Sequence, residues 1–468
     1  MSTDRRCLIG LDVGTTSVKA IAVDLEGNLL AGARAPLPLH SPARHHYIQD
    51  ADEMREAIFQ VLQIVSMQLG SCRVEALGIT GQSISPIVAD RNGRPLHPII
   101  SHLDSRSLPL VDMLSERVGP LGYVGVKLFA NLVWIRREKP EIWRSIGMVL
   151  DVKEYAGYLL TGQPSCDRIW YQIEDVGRYC KELEIPAEWL GPAKVFTEVL
   201  GQITMESSRR TGLPSGTPVI VSLGDSLVSP YGSGVVREGD MADVCGATEI
   251  MSVAAREVHG VLAYPYMLNG LKITSHSPPI GLMHKWLVEM LAEISGVETA
   301  KAYHLIEEMA VKAGPGAGSV IFLPGSFKTV PKMINTGLTH LTYHNSFKQL
   351  VRAFYECTAF ELKHTVETFE AAGARISRVI VSGGAATPFL CQLKADVLEM
   401  DVETPKIMET GCMGAALTAG YAVGLYHSLD EAVSVVKVGR VYHRSGDYDY
   451  GERYRQYLEV RRGCGGLL

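Results

Sequence analysis

The order of apolar runs and turns at the start of the chain constrains the fold more than any other feature. The run Cys7–Val13 ends at Gly14, a second run spans Val18–Asp24, and a third follows a turn at residues 26–28. Apolar runs separated by such short Gly- and Asn-containing turns predict an antiparallel meander of three strands.

A helix and a further strand are predicted next. Within residues 51–69, apolar side chains recur at the spacing of one helix face, as in Ile58, Val61, Leu62 and Val65. The segment 76–80 then has the composition of a buried strand. A meander followed by a helix and a strand is the opening of an RNase H-like domain of the actin type.

The same order of elements occurs a second time. Residues 241–254 give strand, small-residue turn and strand, 346–372 a helix, and 379–382 another strand. We therefore predict an α/β fold with two RNase H-like, actin-like ATPase domains and an active-site cleft between them. Two large domains also suit a chain of 468 residues.

Charge and composition exclude several classes of function. A net charge of −6 gives no long-range attraction for nucleic acid or an anionic membrane, so neither is expected as a partner. No apolar run approaches the roughly 18 residues that span a bilayer. The nine cysteines are odd in number and form no CxxC pair, which indicates reduced thiols. We expect a cytoplasmic protein.

Two acidic residues follow buried strands and are candidates for chemistry. Asp12 could hold a magnesium ion, and the turn of Gly14, Thr15 and Thr16 could donate hydrogen bonds to phosphate oxygens. The alternative is an ordinary hairpin. Asp225 could accept the proton of a substrate hydroxyl group, or it could simply cap a helix.

Three further segments are open to two interpretations each. Gly246-Ala247-Thr248 would repeat the phosphate turn, or is a plain hairpin. Ser382–Ala386 could admit a flat adenine ring because small residues leave the backbone bare, or could serve helix–strand packing. Asp104 and Arg106, with Gln82 and Ser83 upstream, could bind a hydroxyl-rich ligand, or could form a solvated turn.

Taken in order, these segments resemble the FGGY family of carbohydrate kinases, and in particular its xylulokinase-type members. The resemblance covers nearly the whole chain, and its motifs are strong in combination. They are Gly10–Thr16, Gly78–Gln82, Pro98–Arg106, Asp151–Tyr155 with Leu160–Gly162, Gly224-Asp225, Gly232–Gly234, Ser382–Ala385, Gln392 with Ala395-Asp396, and Gly414–Ala416.

The resemblance implies ATP-dependent phosphorylation of a ketose such as xylulose, or of a related sugar or polyol, with Asp225 as general base. It implies an N-terminal domain over residues 1–235, an ATP-binding domain over 236–468, and Mg²⁺ placed by Asp12. Relatives are often homodimers. The implied ATP contacts are Gly14, Thr15, Thr16, Lys19, Gly246, Thr248, Gly383, Gly384, Ala385 and Gln392, and the implied sugar contacts are Gln82, Ser83, Asp104, Arg106 and Asp225.

The sequence departs from the family pattern at several points. Glu249 replaces the glycine that usually ends the second phosphate turn, and we expect it to add negative charge close to the triphosphate. The usual Gly-Glu-Arg-x-Pro after Phe322-Leu323-Pro324 is missing, and Tyr47-Ile48-Gln49 stands where relatives often carry Trp-x-Glu. These departures keep open a non-catalytic sugar or nucleotide sensor of the same fold. An ATPase interaction module is a third interpretation.

Overall fold

The computed structural model of the protein describes residues 5–43, 46–118, 123–167, 176–268, 270–325 and 337–463. The strands are β1 Arg6–Val13, β2 Ser17–Asp24, β3 Leu29–Pro36, β4 Ile48–Gln49, β5 Arg73–Gly81, β6 Ile87–Ala89, β7 Ile99–Ile100, β8 Met148–Leu150, β9 Cys166–Asp167, β10 Ala193–Lys194, β11 Val199–Gln202, β12 Pro218–Val221, β13 Asp240–Cys245, β14 Glu249–Ala255, β15 Ala263–Pro265, β16 Lys272–His276, β17 Ile321–Leu323, β18 Gly337–Thr339, β19 Arg378–Ser382, β20 Val402–Pro405 and β21 Val438–Tyr442. The helices are α1 Ala51–Leu69, α2 Leu108–Val118, α3 Tyr123–Glu138, α4 Pro140–Trp143, α5 Val152–Thr161, α6 Val176–Glu182, α7 Met205–Thr211, α8 Asp225–Ser233, α9 Ile280–Ser295, α10 Thr299–Ala313, α11 Phe347–Ala371, α12 Pro388–Leu398, α13 Thr410–Ala422, α14 Leu429–Val433 and α15 Gly451–Gly463.

Contacts divide the chain into two units. Unit 1 comprises Met1–Gly232 and Glu409–Val436, and unit 2 comprises Ser233–Met408 and Lys437–Leu468. The first unit therefore includes α13 and α14, which come late in the sequence. A single division of the chain after residue 235 remains a prediction about the family's domains.

The main sheet of unit 1 contains the predicted antiparallel meander as β1, β2 and β3. Its six strands lie in the order β11-β12-β5-β1-β2-β3. β1, β2 and β3 pair antiparallel, whereas β5 runs parallel to β1, and β12 runs parallel to β5. β1 thus lies between its antiparallel partner β2 on one side and the parallel strand β5 on the other, which is the RNase H-like arrangement.

Helices cover this sheet because its central strands are apolar. The side chains of β1 are buried almost throughout, and a strand buried on both sides needs a layer on each. α1 packs on β2 and β3, and α13 packs on β1 and β5. α1 begins where Asp50 accepts hydrogen bonds from the backbone of Asp52 and Glu53, so the predicted helix over residues 51–69 is confirmed.

Two glycines allow α13 to lie directly on the sheet. A Cβ added to Gly10 of β1 would come within 1.8 Å of the Cys412 carbonyl oxygen, and one added to Gly78 of β5 within 1.9 Å of the Ala415 oxygen. No side chain larger than hydrogen fits at either position without moving the helix. The small residues at 411–416 therefore make a close helix contact.

Unit 2 repeats the same topology. Its main sheet has the order β15-β16-β14-β13-β19-β20-β21, with β13 antiparallel to β14 and parallel to β19. The predicted strand pair over 241–254, the helix over 346–372 and the strand over 379–382 correspond to β13 with β14, to α11 and to β19. The second RNase H-like domain predicted from element order is confirmed.

Two further findings bear on the sequence predictions. Within the described ranges, no helix is both long and apolar enough to cross a bilayer. The eight cysteines in those ranges are all free, and seven of them are buried. Cys464 lies outside the described residues.

Candidate active site

Asp12 is a half-buried residue close to the end of β1, and its Oδ1 atom is buried. Across the strand pair it lies opposite Lys19 of β2, whose ammonium group is 2.7 Å from a carboxylate oxygen of Glu409. Burial raises the pKa of Asp12, and the positive charge of Lys19 opposes that shift. Among the described residues, Asp12 Oδ1 has no hydrogen-bond partner although it is buried. A buried acceptor without a donor is costly, which indicates a place for a cation or a bound donor.

The surroundings of Asp12 fit a magnesium ion. Gly411 lies against the carboxylate, and a Cβ at that position would come within 3.0 Å of Asp12 Oδ2 and 3.2 Å of the Ser229 hydroxyl oxygen. The missing side chain leaves room beside an oxygen ligand of the type that Mg²⁺ prefers. Asp12, as expected from the sequence, is therefore a suitable residue to help hold the ion.

The turn after β1 is ordered by its own backbone. Gly14 donates its N–H to the Ser17 carbonyl oxygen at 3.1 Å, and the Thr16 carbonyl oxygen accepts from Leu37 at 3.0 Å. The Thr15 carbonyl oxygen accepts from the Gln49 side chain at 2.7 Å. The expected phosphate turn is thus a fixed loop next to Asp12.

Asp225 is the first residue of α8, and the three residues 222–224 separate it from Val221, the last residue of β12. Its Oδ1 accepts the Ser226 N–H at 2.8 Å, so it also serves the helix N-terminus, as the alternative interpretation expected. Burial and, after it, the negative charges of Asp12 and Asp151 together raise the pKa of Asp225 to about 7. A carboxyl group poised near neutral pH suits proton transfer.

The sheet explains why Asp12 and Asp225 act on each other electrostatically. β1, β5 and β12 run parallel, so their carboxyl ends meet at one edge of the sheet. Asp12 lies near the end of β1, and Asp225 follows the end of β12. Two acids separated by more than 200 positions in the sequence therefore share one buried environment of unit 1.

The expected sugar-binding residue Gln82 lies directly after β5 in a network of side chains. Its Nε2 donates to Gln49 Oε1 at 2.7 Å, and its Oε1 faces the Ser85 hydroxyl at 3.2 Å and His102 Nδ1 at 3.3 Å. Gln49 and Gln82 are almost fully buried, whereas His102 is only half-buried. Gln49 and His102 are contacts that the sequence did not reveal.

Asp104 and Arg106 form a bidentate ion pair. Arg106 Nε and Nη2 approach the Asp104 carboxylate at 2.8 and 2.6 Å, and the Tyr47 N–H donates to the same group at 2.8 Å. The guanidinium group lies 4.8 Å from the centre of the Trp134 ring. The pair is largely buried, so the interpretation as a solvated turn is wrong.

Lys127 supports this pair from α3. Its ammonium group donates to the Asp104 carbonyl oxygen at 2.8 Å, to the Ser107 hydroxyl at 2.7 Å and to Asn131 Oδ1 at 3.1 Å. Burial lowers the pKa of Lys127 to about 8. Nothing in the sequence distinguished this lysine from a surface residue of an amphipathic helix.

Asp151 holds the loop that carries Gln82 and Ser83. Its carboxylate accepts the N–H groups of Ile84 at 2.7 Å and Ser85 at 2.8 Å. Ile84 has φ of 61°, a left-handed conformation that is strained for a β-branched residue. The Ser83 hydroxyl is buried and has no partner among the described residues. The loop therefore presents an unsatisfied hydroxyl group from a backbone held under strain.

In unit 2, the expected second phosphate turn joins β13 to β14. The Ala247 carbonyl oxygen accepts the Leu282 N–H at 2.9 Å, and Gly281 packs against the Gly246 carbonyl oxygen, where a Cβ would come within 1.9 Å. Gly246 and Thr248 thus lie in a turn that the start of α9 supports.

Glu249 does not extend from this turn toward a ligand, as the sequence had led us to expect. Its side chain is buried and hydrogen-bonded to the Lys394 ammonium group, which also bonds Asp243. Burial, together with the neighbouring Asp243, raises the pKa of Glu249 to about 8. The carboxyl group is neutralised inside the unit because its strand position faces the core.

Asp243, Cys245 and Glu249 have the spacing of a metal site, but the ammonium group of Lys394 bonds both acids.

The expected adenosine loop lies beside that turn. β19 is parallel to β13, so Gly383 and Ala385 follow the same edge of the sheet as Gly246. The Ala385 N–H approaches the Cys245 carbonyl oxygen at 3.3 Å. Gln392 of α12 donates to the His443 carbonyl oxygen at 2.8 Å and to Asp396 at 3.1 Å. The structure thus brings the two loops of unit 2 together and ties Gln392 to its own unit.

Most of the contacts that sequence reasoning missed had weak signals. Gln49 stood out only as a departure from Trp-x-Glu, and His102 only as one position of the motif Pro98–Arg106. Asp151 belonged to a quoted motif without an assigned role. The segment that lacks Gly-Glu-Arg-x-Pro falls mostly on residues 326–336, which lie outside the described residues.

Comparison with known proteins adds family evidence to this geometry. A model of the FGGY family of carbohydrate kinases, N-terminal domain, matches residues 7–232, and the model of the family's C-terminal domain matches residues 281–423. The chain is 27% identical over 456 residues to the L-xylulose/3-keto-L-gulonate kinase of Escherichia coli, covering 91% of this chain and 90% of that protein.

Two further relatives point the same way. The autoinducer-2 kinase of Yersinia pseudotuberculosis is 26% identical over 474 residues, covering 91% of this chain and 87% of that protein. The crystal structure of xylulose kinase from Rhodospirillum rubrum aligns with a TM-score of 0.78 at 25% identity, covering 98% of this chain and 99% of that one. The likeness extends through both units of the chain.

Proposed function

Because the chain belongs to the FGGY family of carbohydrate kinases, we propose that it transfers a phosphoryl group from ATP to a hydroxyl group of a ketose such as xylulose, or of a related sugar or polyol, with Asp225 as general base. The observation that carries this proposal is the half-buried Asp225, whose carboxyl pKa is raised to about 7 by burial and by the charge of Asp12. An acid of this kind can accept a proton at neutral pH.

Asp225 would take the proton from the hydroxyl group as the oxygen attacks the phosphoryl group. General-base assistance typically contributes ~10²–10⁴-fold to the rate. The larger part of the barrier reduction comes from positioning and from charge stabilisation around the transferred group. Burial of the site supports both, because electrostatic interactions are stronger where water is excluded.

Residues of both units are proposed to hold Mg-ATP. In unit 1 the turn at Gly14, Thr15 and Thr16 would donate to phosphate oxygens, Lys19 would add positive charge, and Asp12 would help hold Mg²⁺. When bound, Mg²⁺ neutralises charge on the phosphate oxygens. In unit 2 the proposed contacts are Gly246 and Thr248 for phosphate, and Gly383, Gly384, Ala385 and Gln392 for adenosine.

The substrate contacts are proposed at Gln82, Ser83, Asp104 and Arg106. Planar amide, carboxylate and guanidinium groups bind vicinal hydroxyl groups well, and the buried Ser83 hydroxyl, which has no partner among the described residues, could bond a ligand. The relatives named for xylulose and for L-xylulose support a ketose as the acceptor.

The decisive experiment compares Asp225→Asn with the wild-type protein in an ADP-release assay. The panel contains pentuloses, hexuloses, polyols and aldonic acids, each with Mg-ATP. We expect one sugar to stimulate turnover, and Asp225→Asn to lower kcat by ~10²–10⁴-fold with little change in KM. Asp52→Asn, an exposed position in the first turn of α1, is the matched control and should behave as wild type.

Other outcomes would identify other functions. Sugar and nucleotide binding without turnover would indicate a sensor, and turnover that no sugar stimulates would indicate an ATPase module. If Asp225→Asn retained wild-type kcat, the assignment of the base would be wrong.

A further inference from the structure

A chain of hydrogen bonds joins the phosphate turn to the substrate loop. The Thr15 carbonyl oxygen accepts from Gln49 Nε2 at 2.7 Å, and Gln49 Oε1 accepts from Gln82 Nε2 at 2.7 Å. Gln82 Oε1 in turn faces the Ser85 hydroxyl at 3.2 Å and His102 Nδ1 at 3.3 Å. We call Thr15, Gln49, Gln82 and His102 the amide chain.

The direction of every bond in the amide chain follows from its first member. A backbone carbonyl oxygen can only accept, so Gln49 must turn its NH₂ group toward Thr15 and its oxygen toward Gln82. Gln82 must then donate to Gln49, which leaves its own oxygen facing His102. Because that oxygen can only accept, His102 must carry its proton on Nδ1.

From this geometry we infer that His102 presents Nε2 as a hydrogen-bond acceptor to a hydroxyl group of the acceptor sugar and thereby selects among substrates. The inference rests on the proposed function, because it concerns the same substrate. His102 follows Ser101 and precedes the loop of Asp104 and Arg106, and its backbone N–H donates to Ser85 at 3.0 Å. His102 as a residue is only half-buried, so part of its surface is open to a ligand.

The electrostatic surroundings keep His102 neutral. Burial, together with the positive charge of Lys127, lowers the pKa of His102 to about 4. A neutral ring with a proton on Nδ1 has a lone pair on Nε2, which attracts a hydroxyl proton and repels an anionic oxygen. The nearby cations are already occupied, Arg106 by Asp104 and Lys127 by three oxygen atoms. The position therefore favours a hydroxyl group of the substrate over a carboxylate.

The alternative is that His102 has a structural role alone, in which its ring holds the Gln82 side chain in position through the bond from Nδ1. That role needs Nδ1 alone, whereas the inferred role also needs Nε2. Two substitutions separate these atoms. In His102→Asn the amide nitrogen can replace Nδ1 and keep the bond to Gln82, but nothing replaces Nε2. In His102→Gln the longer side chain can place an acceptor near the Nε2 position, but gives up the Nδ1 bond.

The first test measures the tautomer and does not depend on turnover. Nitrogen-15 spectra of histidine-labelled protein at pH 7 are compared with those of His102→Asn, which identifies the His102 signals. We expect a protonated Nδ1 and an unprotonated Nε2. A proton on Nε2, or on both nitrogens, would overturn the inference whatever the substrate is.

The second test measures selectivity with the sugar that supports turnover and with its monodeoxy analogues. For the analogue that lacks the contacting hydroxyl group, wild-type kcat/KM should fall roughly tenfold or more. His102→Asn should lose a similar factor with the parent sugar and should no longer discriminate against that analogue, whereas His102→Gln should retain part of the discrimination. If His102→Asn discriminates against every analogue as strongly as wild type does, Nε2 contacts no hydroxyl group and the inference is wrong.

The two tests distinguish the failures. If no sugar is phosphorylated but the Nδ1–H tautomer is found, the proposed function fails and the amide chain stands. If a sugar is phosphorylated but the other tautomer is found, the proposed function stands and the inference fails.

Discussion

The first strands of the two units each carry an aspartate, and the two side chains have different surroundings. Asp12 of β1 keeps an oxygen without a partner among the described residues. Asp243 of β13 is bonded by the Lys394 ammonium group, which also bonds Glu249. The same topology thus places an acid available to a ligand in unit 1 and a neutralised acid in unit 2.

Position relative to the turn is one physical reason for this difference. Asp12 stands two residues before Gly14, whereas Asp243 stands three residues before Gly246. Side chains alternate between the faces of a strand, so a shift of one residue moves an acid to the other face. On that face Asp243 meets Lys394 of α12. A repeated fold therefore does not repeat a site unless the register is kept as well.

The largest expected effect is the loss of turnover in Asp12→Asn. Removing a charged group that stabilises a phosphoryl transfer typically costs ~10²–10³-fold in kcat. Burial disfavours the charged form of the Asp12 carboxyl group. Replacing it by the neutral amide of asparagine should therefore not lower the free energy of unfolding. Steady-state kinetics over a range of Mg²⁺ concentrations, with denaturant unfolding alongside, measures both quantities. If Asp12→Asn showed wild-type turnover with an unchanged Mg²⁺ requirement, Asp12 would not belong to the site. The contrast between Asp12 and Asp243 would then be wrong.

In unit 2 the matching substitution should affect stability instead. Lys394→Met would leave Asp243 and Glu249 buried without their cation, and breaking a buried ion pair typically costs about 3–5 kcal/mol. Denaturant unfolding measures this loss. Glu249→Gln is the matched control, because the raised pKa of Glu249, about 8, already keeps that group protonated at neutral pH, and glutamine can still accept from Lys394. Equal stability of the two variants would show that Lys394 does not neutralise the cluster.

How far the sequence could predict these features depends on the range of the interactions. The helix over residues 51–69 was predictable because Ile58, Val61 and Leu62 repeat along one face and are all buried. Asp12 and Asp225 were predictable as acids that follow buried strands. The fate of Glu249 was not, because its partner Lys394 lies 145 positions away and no local pattern marks it.

The roles of His102 and Gln49 were hidden for a similar reason. The amide chain draws on four separate segments of the sequence, and each of its members is an ordinary polar residue when viewed alone. Likewise, α13 follows most of unit 2 in the sequence and yet belongs to unit 1. The packing of Gly10 and Gly78 against its backbone helps to explain that placement.

The pH profile of turnover should show the same contrast between the units. The pKa of Asp225 is raised to about 7, and a protonated carboxyl group cannot accept a proton. We therefore expect kcat/KM to fall about tenfold per pH unit below pH 7 and to level off above it. Removing the negative charge of Asp12 should move this limb to lower pH in the residual activity of Asp12→Asn. Glu249→Gln should leave the limb in place, and a limb that moves in that variant would contradict the assignment.

The smallest expected effect concerns two loops. One follows β5, the parallel neighbour of β1, and the other follows β19, the parallel neighbour of β13. After β19 the left-handed position is Gly383, with φ of 92°, whereas after β5 it is Ile84, with φ of 61°, held by Asp151. Such a conformation costs a non-glycine residue ~1–3 kcal/mol.

Asp151→Asn replaces an acceptor oxygen by a donor NH₂ and loses at least one of the two bonds to the loop. We therefore expect KM for the sugar to rise severalfold to about tenfold, with a smaller change in kcat. Ile84→Gly relieves the strain, and the double variant Asp151→Asn/Ile84→Gly should recover most of the lost affinity in steady-state kinetics. If the double variant binds sugar no better than Asp151→Asn alone, Asp151 does not act by holding the strained backbone of Ile84. The conformational difference between the two loops would then not matter for sugar binding.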